Sequence, residues 1–363
     1  MRAVFFEKSV PRVLSTLALK SLWPGAVFFG PTSPVRFADL PTPPLPGPRG
    51  VRVQNRLCGV CASDLHLVFV DVHPEVHPAA LPGRRRLYLG HEVVGEVTEV
   101  GPEVRDLGVG DRVVMESRFT GATCSSQQID PPCRFCRAGD YGLCENASAD
   151  TGGVGGGWGD GYTAERSEVY KVPDALSDEQ AVLIEPLACS LRAVLRRVPG
   201  PDETALVLGC GMIGLGVIQA LRAVQPRARV LAAARHPHQV ALAERFGATV
   251  IDPGRLYEEV ARLTGARIYT GELKARTMIG GVDVVYECVG RAATLEPALR
   301  LVRAGGAVVL VGVNLRRLKV DLTPIWHQQV DLIGTIIHGR ETWQGEQPST
   351  FELVARWLEQ GQL

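Results

Sequence analysis

Charge of either sign is never in excess in this 363-residue chain. Lys and Arg number 39, Asp and Glu also 39, and the formal net charge is zero. With no basic surplus, neither nucleic acid nor an anionic membrane surface is an expected partner. Aromatic residues are few, 6% of the chain. None interleaves with a basic run, which excludes platforms that stack bases. No apolar run is long enough to span a bilayer, since the stretch from Val13 to Phe29 is broken by Lys20 and Pro24. The opening, Met1 to Lys8, reads as a short strand interrupted by charge, not as a secretory leader. No period marks a repeat array.

What is present fits an ordinary globular protein: 45% of residues are hydrophobic and 21% charged. The length accommodates two domains with real cores. Nine cysteines without a leader indicate a reducing, cytoplasmic setting, where metal ligation and packing are the expected uses of a thiol.

The early chain reads as strands and turns, with a proline-rich connector from Pro41 to Pro48. Val51, Val53, Asn55 and Leu57 alternate with polar residues, a strand that runs into Cys58-Gly59-Val60-Cys61 and then Ser63 and His66. By itself this pair of thiols could be half a zinc knuckle, a redox couple or two small core residues. A second strand, Val93 to Val100, carries Gly90-His91-Glu92 at its mouth. The stretch from Cys124 to Cys144 has little apolar periodicity but holds Cys133, Cys136 and Cys144. A loop without a core of its own needs a staple, and zinc held by four ligands supplies one. Cys124 is favoured as the fourth because structural zinc prefers thiolate; Asp130 is the alternative.

The glycine-dense segment Gly152 to Gly161 lacks the lysine of a phosphate-binding loop and is expected to be a flexible surface loop. Ser177 caps an expected helix that includes Glu185 between apolar neighbours; a buried acid there needs a cation or a hydrogen-bond partner.

From Thr204 strands and helices alternate, the pattern of a doubly wound parallel sheet in an α/β protein. Between the first strand and its helix stands Gly209-Cys210-Gly211-Met212-Ile213-Gly214. In that context the three glycines indicate dinucleotide binding: a sharp turn, close approach of pyrophosphate to backbone, and tight helix–strand packing. The second strand ends in Ala234-Arg235-His236, with no carboxylate for ribose hydroxyls. NADP(H) is therefore favoured over NAD(H), with Arg235 and His236 as partners of the 2′-phosphate.

Taken in order, Cys61-Ala-Ser63-Asp-Leu-His66, Gly90-His91-Glu92, the Cys133/Cys136/Cys144 loop, Glu185-Pro186-Leu187 and the glycine fingerprint resemble the zinc-dependent medium-chain dehydrogenase/reductase superfamily of alcohol, polyol, glucose and threonine dehydrogenases. The resemblance runs from about Val51 to Gly334. It implies a GroES-like β-rich catalytic domain over 1–195, a Rossmann domain over 196–334 and a short return, 335–363, to the catalytic domain. It implies a catalytic zinc on Cys61, His91 and Glu185, with Glu92 beside it, and a proton relay through Ser63 and His66; Cys58 is then a packed residue. It implies a small alcohol or carbonyl substrate and a homodimer or homotetramer. Three features depart from the pattern. Pro11 to Pro31 looks like an insertion, the loop holding Cys124 is longer than usual before Cys133, and members usually continue past the helix expected over Thr350 to Leu358. The last motivates an alternative function, an NADP(H)-binding protein with structural zinc and no turnover.

Overall fold

The computed structural model describes residues 1–73, 85–117, 121–148, 153–272 and 276–363. Two compact units emerge. The first comprises Met1–Glu185, Leu315–Arg317 and Gln344–Glu359; the second comprises Pro186–Asn314, Leu318–Trp343 and Gln360–Leu363.

The first unit opens with β1 (Arg2–Glu7), helices α1 (Val10–Leu19) and α2 (Pro24–Phe29), and β2 (Val35–Asp39). The inserted residues thus form two short helices, and Lys20 after α1 donates through Nζ to the Phe69 and Val70 carbonyls. Next come β3 (Gly50–Cys58), α3 (Ala62–Val68), β4 (Arg86–Tyr88), β5 (Val93–Val100), β6 (Arg112–Met115), α4 (Arg134–Ala138), β7 (Gly161–Glu165) and β8 (Val169–Lys171). Five of these strands form one sheet in the order β7-β3-β5-β6-β8, with every pairing antiparallel. The alternating valines of β3 and β5 turn inward, so Val51, Val53, Val93 and Val97 pack with Val113 and Tyr162 in a closed core.

The helix expected after Ser177 is two helices, α5 (Asp178–Ala181) and α6 (Ile184–Arg196). Ser177 and Gln180 do form a capping box. One helix cannot run through, because Pro186 has no N–H to give the carbonyl of Val182. Proline is tolerated in the first turn of a new helix, which is where it stands in α6.

The second unit contains β9 (Thr204–Leu208), α7 (Met212–Val224), β10 (Arg229–Ala233), α8 (Pro237–Arg245), β11 (Thr249–Ile251), α9 (Leu256–Thr264), a hairpin of β12 (Arg267–Thr270) and β13 (Arg276–Ile279), β14 (Val282–Glu287), α10 (Ala292–Leu301), β15 (Val302–Leu310), α11 (Thr323–His327) and β16 (Asp331–Gly334). Its six-stranded sheet is parallel, in the order β11-β10-β9-β14-β15-β16. Strands β9 and β14 are apolar throughout their middles, as strands covered on both faces must be. The winding reverses between β9 and β14, which opens a crevice at their carboxyl ends. The last helix, α12 (Thr350–Glu359), belongs to the first unit, where Phe351 meets Tyr170 edge to face. Among the described residues, no helix is long and apolar enough to cross a membrane.

The glycine-dense segment is not a loose surface loop. Gly152 lies outside the described residues, but Gly156, Gly157 and Gly161 are buried, and Gly155 bridges to Tyr162. The glycines are there because other backbone lies against them, not to grant freedom.

Candidate metal and cofactor sites

Strands β3 and β5 pair antiparallel, with Leu57 opposite Val94 and Cys58 opposite Val93. The chain leaving β3 therefore emerges beside the chain entering β5. Three residues past β3 stands Cys61, and immediately before β5 stand His91 and Glu92. The Gly59 N–H donates to the Glu92 carbonyl at 2.7 Å and locks the two loops together. Ligand atoms of Cys61, His91 and Glu92 all lie within 4.8 Å of one another.

Asp64, buried on α3, supports this group. One carboxylate oxygen accepts the Gly90 N–H at 3.1 Å, and the other lies 3.5 Å from His91 Nδ1. That contact fixes the ring and leaves Nε2 as the ligand nitrogen. Burial pulls the His91 pKa down, but hydrogen bonds to Asp64 and Cys61 and the charge of Glu185 outweigh it and hold the pKa well above its usual value. Burial pushes the Glu92 carboxyl up, against the pull of His91 and Cys61. A thiol, an imidazole and a buried carboxyl within reach of one another form a donor set that suits a divalent cation.

Glu185, buried in the first turn of α6, stands outside the group of three, though its charge reaches His91. The structure thus sets Glu92 among the ligand atoms and Glu185 a step behind, whereas the family pattern assigns the ligand role to Glu185. Ser63 and His66 lie three apart on α3 and share a face. Cys61 occupies the N-cap position of this helix. His66 Nδ1 lies 3.5 Å from Asp71, a partner sequence reasoning missed. The missed signal is a turn: the Asp71 N–H donates to the His66 carbonyl at 2.7 Å, which brings the carboxylate back under the ring. Cys58 packs at the end of β3, where burial raises its thiol to about 12.

The second thiol group is Cys124, Cys133, Cys136 and Cys144, again within 4.8 Å of one another. The Cys124 and Cys144 sulfurs lie 3.7 Å apart. Four thiolates in a tetrahedron about zinc, at a Zn–S distance of about 2.3 Å, have edges of about 3.8 Å. Cys133 caps α4, and the backbone amides of Cys136 and Glu145 lower its pKa to about 6. The Asn146 side chain donates to Cys124 Sγ at 3.2 Å. Asp130 is exposed and stands apart from the thiols.

In the second unit, β9 leads into Gly209 at φ +92°, a conformation that L side chains rarely adopt. Gly211 caps α7, with Met212 and Ile213 opening the helix. A Cβ on Gly214 would overlap the Gly209 carbonyl oxygen, so strand and helix touch. The α7 N-terminus thereby presents free N–H groups at the crevice. A cleft of about 600 Å³ lies past the ends of β10 and β11, lined by Ala234, Arg235, Val240, Ile251, Asp252 and Gly254 among others. Arg235 lines it; His236 does not, and stacks at 5.7 Å on His238. Asp252 places an acid in the cleft that sequence reasoning overlooked because it follows the third strand, not the second; it is already engaged by the Gly254 N–H. Also unanticipated is Glu287, fully buried at the end of β14, where it accepts the Val289 and Gly290 N–H groups.

A β-rich unit carrying Cys, His and Glu ligand atoms and a four-thiol lobe, together with a dinucleotide-type sheet, defines a metal-dependent dehydrogenase. The comparisons carry this to the family. Residues 47–174 match the alcohol dehydrogenase GroES-like domain, and residues 213–351 match the zinc-binding dehydrogenase domain. The chain is 33% identical over 303 residues to L-idonate 5-dehydrogenase of Vitis vinifera, covering 82% of this chain and 75% of that protein. It is 31% identical to sorbitol dehydrogenase of Arabidopsis thaliana, covering 83% and 77%. Among solved structures, 2R,3R-butanediol dehydrogenase of Bacillus subtilis superposes with a TM-score of 0.67 at 28% identity, covering 90% of this chain and 85% of that one. A zinc-binding dehydrogenase structure from Sinorhizobium meliloti, bound to NADP, gives 0.67 at 29% identity over 91% and 85%. The chain belongs to the zinc-dependent alcohol and polyol dehydrogenase family.

Proposed function

We propose that this protein oxidises a polyol or sugar hydroxyl, and reduces the matching carbonyl, with NADP(H) as the redox partner. The observation that carries the reading is the meeting of Cys61, His91 and Glu92 at the mouths of paired strands. Cys61 and His91 would hold a catalytic zinc together with a carboxylate from Glu185 or Glu92. If both carboxylates bound, the four positions would be full; catalysis needs one open, so one of them yields to substrate. Zinc there supplies a Lewis acid that favours the alkoxide form of the substrate hydroxyl. A nicotinamide cofactor bound in the second unit would supply the hydride acceptor.

The chain's own residues do the rest. Asp64 keeps His91 aimed. Ser63 accepts the hydroxyl proton and His66, on the same face of α3, passes it outward. The glycine turn and the α7 N-terminus hold pyrophosphate. Arg235 pairs with the 2′-phosphate. The four cysteines hold a structural zinc that keeps residues 121–148 folded. Residues 1–195 serve as the catalytic domain and 196–334 as the cofactor domain. A homodimer or homotetramer is the proposed assembly, which light scattering reads.

Supporting the substrate class are the relatives named for idonate, sorbitol and butanediol. The test is cofactor reduction by zinc-loaded protein with sorbitol, L-idonate, 2,3-butanediol, ethanol and threonine. Polyols are expected to turn over faster than ethanol, with NADP+ ahead of NAD+. Absence of cofactor reduction with every hydroxyl substrate rejects the reading.

A further inference from the structure

The buried glycine-dense segment takes no part in the chemistry assigned above, yet it touches both loops that carry the metal ligands. The Trp158 indole Nε1–H donates to the Gly59 carbonyl at 3.1 Å, two residues before Cys61. The Trp158 backbone N–H donates to Leu89 at 3.1 Å, and Gly157 donates to Gly90 at 2.7 Å, immediately before His91. One short segment thus grips the strand exit and the strand entry at the same time.

The grip is backed from behind. Asn55, on β3, spends its side-chain amide on three carbonyls of the segment: Gly156 at 2.9 Å, Gly157 at 3.2 Å and Gly159 at 2.9 Å. Its backbone N–H takes a fourth, Asp160, at 2.9 Å. The approach is close enough to demand glycine. A Cβ on Gly157 would overlap Cys58 Sγ, and one on Gly90, at φ +81°, would lie 2.5 Å from the Trp158 ring. The three stretches cannot slide past one another without breaking these bonds.

We propose that Trp158, braced by Asn55, is a positioning residue that sets the separation of Cys61 and His91 and so the retention of the metal between them. The proposal rests on the reading that Cys61 and His91 hold the catalytic zinc. A residue that fixes the loops behind the ligands acts as outer-shell support does, where loss costs roughly tenfold or more in metal affinity.

The test is Trp158→Phe, which keeps most of the ring and removes the Nε1–H. Zinc release to a chelator is followed in the full-length protein, with the visible spectrum of the cobalt-substituted form and the NADPH dissociation constant. Expected are about tenfold faster loss of one zinc per chain, a wild-type rate for the other, a shifted thiolate-to-cobalt band and unchanged NADPH binding. Wild-type release of both zincs with an unmoved cobalt spectrum overturns the proposal. Equal acceleration of both, with a lower melting temperature, also overturns it, because that is general support of the fold. Cys61→Ser is the control: it lacks one zinc from the outset if the underlying reading holds. Two retained zincs in Cys61→Ser defeat that reading, whatever Trp158 does. Should Trp158→Phe fail to fold, Asn55→Ser takes its place; selective loss of one zinc supports the proposal and wild-type retention of both overturns it.

Discussion

Replacing Ala234 by Asp tests the choice of cofactor. Ala234 follows β10, is 5% exposed and lines the cleft beside Arg235. A carboxylate there would accept hydrogen bonds from the ribose hydroxyls of NAD, worth about 1.5–3 kcal/mol for a bond to a charged group. Against NADP it would face a phosphate carrying about −1.5 to −2 charges. At roughly 6 Å and an effective dielectric constant of about 40, that repulsion is on the order of 2 kcal/mol. Two effects oppose the gain: the site is nearly closed to water, and Asp252 is already an acid in the same cleft. Allowing about 1–1.5 kcal/mol for these leaves about 2–4 kcal/mol, or roughly thirtyfold to a thousandfold. The assay is kcat/KM for NADP+ and for NAD+ with one hydroxyl substrate, in wild type and Ala234→Asp. The ratio should swing toward NAD+ by about two decades. A swing of less than about threefold, under 1 kcal/mol, removes the 2′-phosphate reasoning.

Cys144→Ser should release the structural zinc and unfold residues 121–148, because the buried side chains grouped there are the thiols, with Cys133 and Tyr141 against them. Structural zinc contributes about 10–16 kcal/mol to such sites, so limited proteolysis should cut the lobe; an uncut variant with full zinc contradicts this. His66→Gln should lower kcat by about a hundredfold, the lower end for general acid–base groups, and leave NADPH binding unchanged; a wild-type kcat removes His66 from the proton path. Glu203 is held below the usual carboxylate range by its hydrogen bond to Arg197, against partial burial and aided by the Gly200 N–H and Arg303. Its folded pKa is the lower one, so its stabilisation is full above the unfolded carboxylate pKa and fades as pH falls through the folded value. Glu203→Gln should therefore lower the melting temperature more at pH 7 than at about pH 3; equal shifts at both would count against it.

Much of the site is local in sequence and was legible there. Cys133, Cys136 and Cys144 lie close in the chain, and the glycine fingerprint sits between one strand and its own helix. Periodicity exposed the alternating strands and helices of the second unit because each element carries its pattern within itself. What was hidden depends on pairing between distant stretches. Glu92 was placed beside Cys61 by the family resemblance alone, because their meeting depends on β3 and β5 running antiparallel in a particular register. Glycine content alone does not separate a loose loop from a tightly packed one, and from Gly155 to Gly161 it is Arg2, Val53, Cys58, Leu89 and Tyr162 pressing close that require glycine. The partners Asp64 and Asp71 escaped notice because a carboxylate on a short helix, or just beyond it, is ordinarily solvated.

The most direct measurement is turnover of the protein stripped of metal and then reloaded with zinc. The account predicts no cofactor reduction from the stripped chain and recovery as zinc returns to the two ligand groups, Cys61 with His91 and the four cysteines. Full turnover by metal-free protein would contradict it.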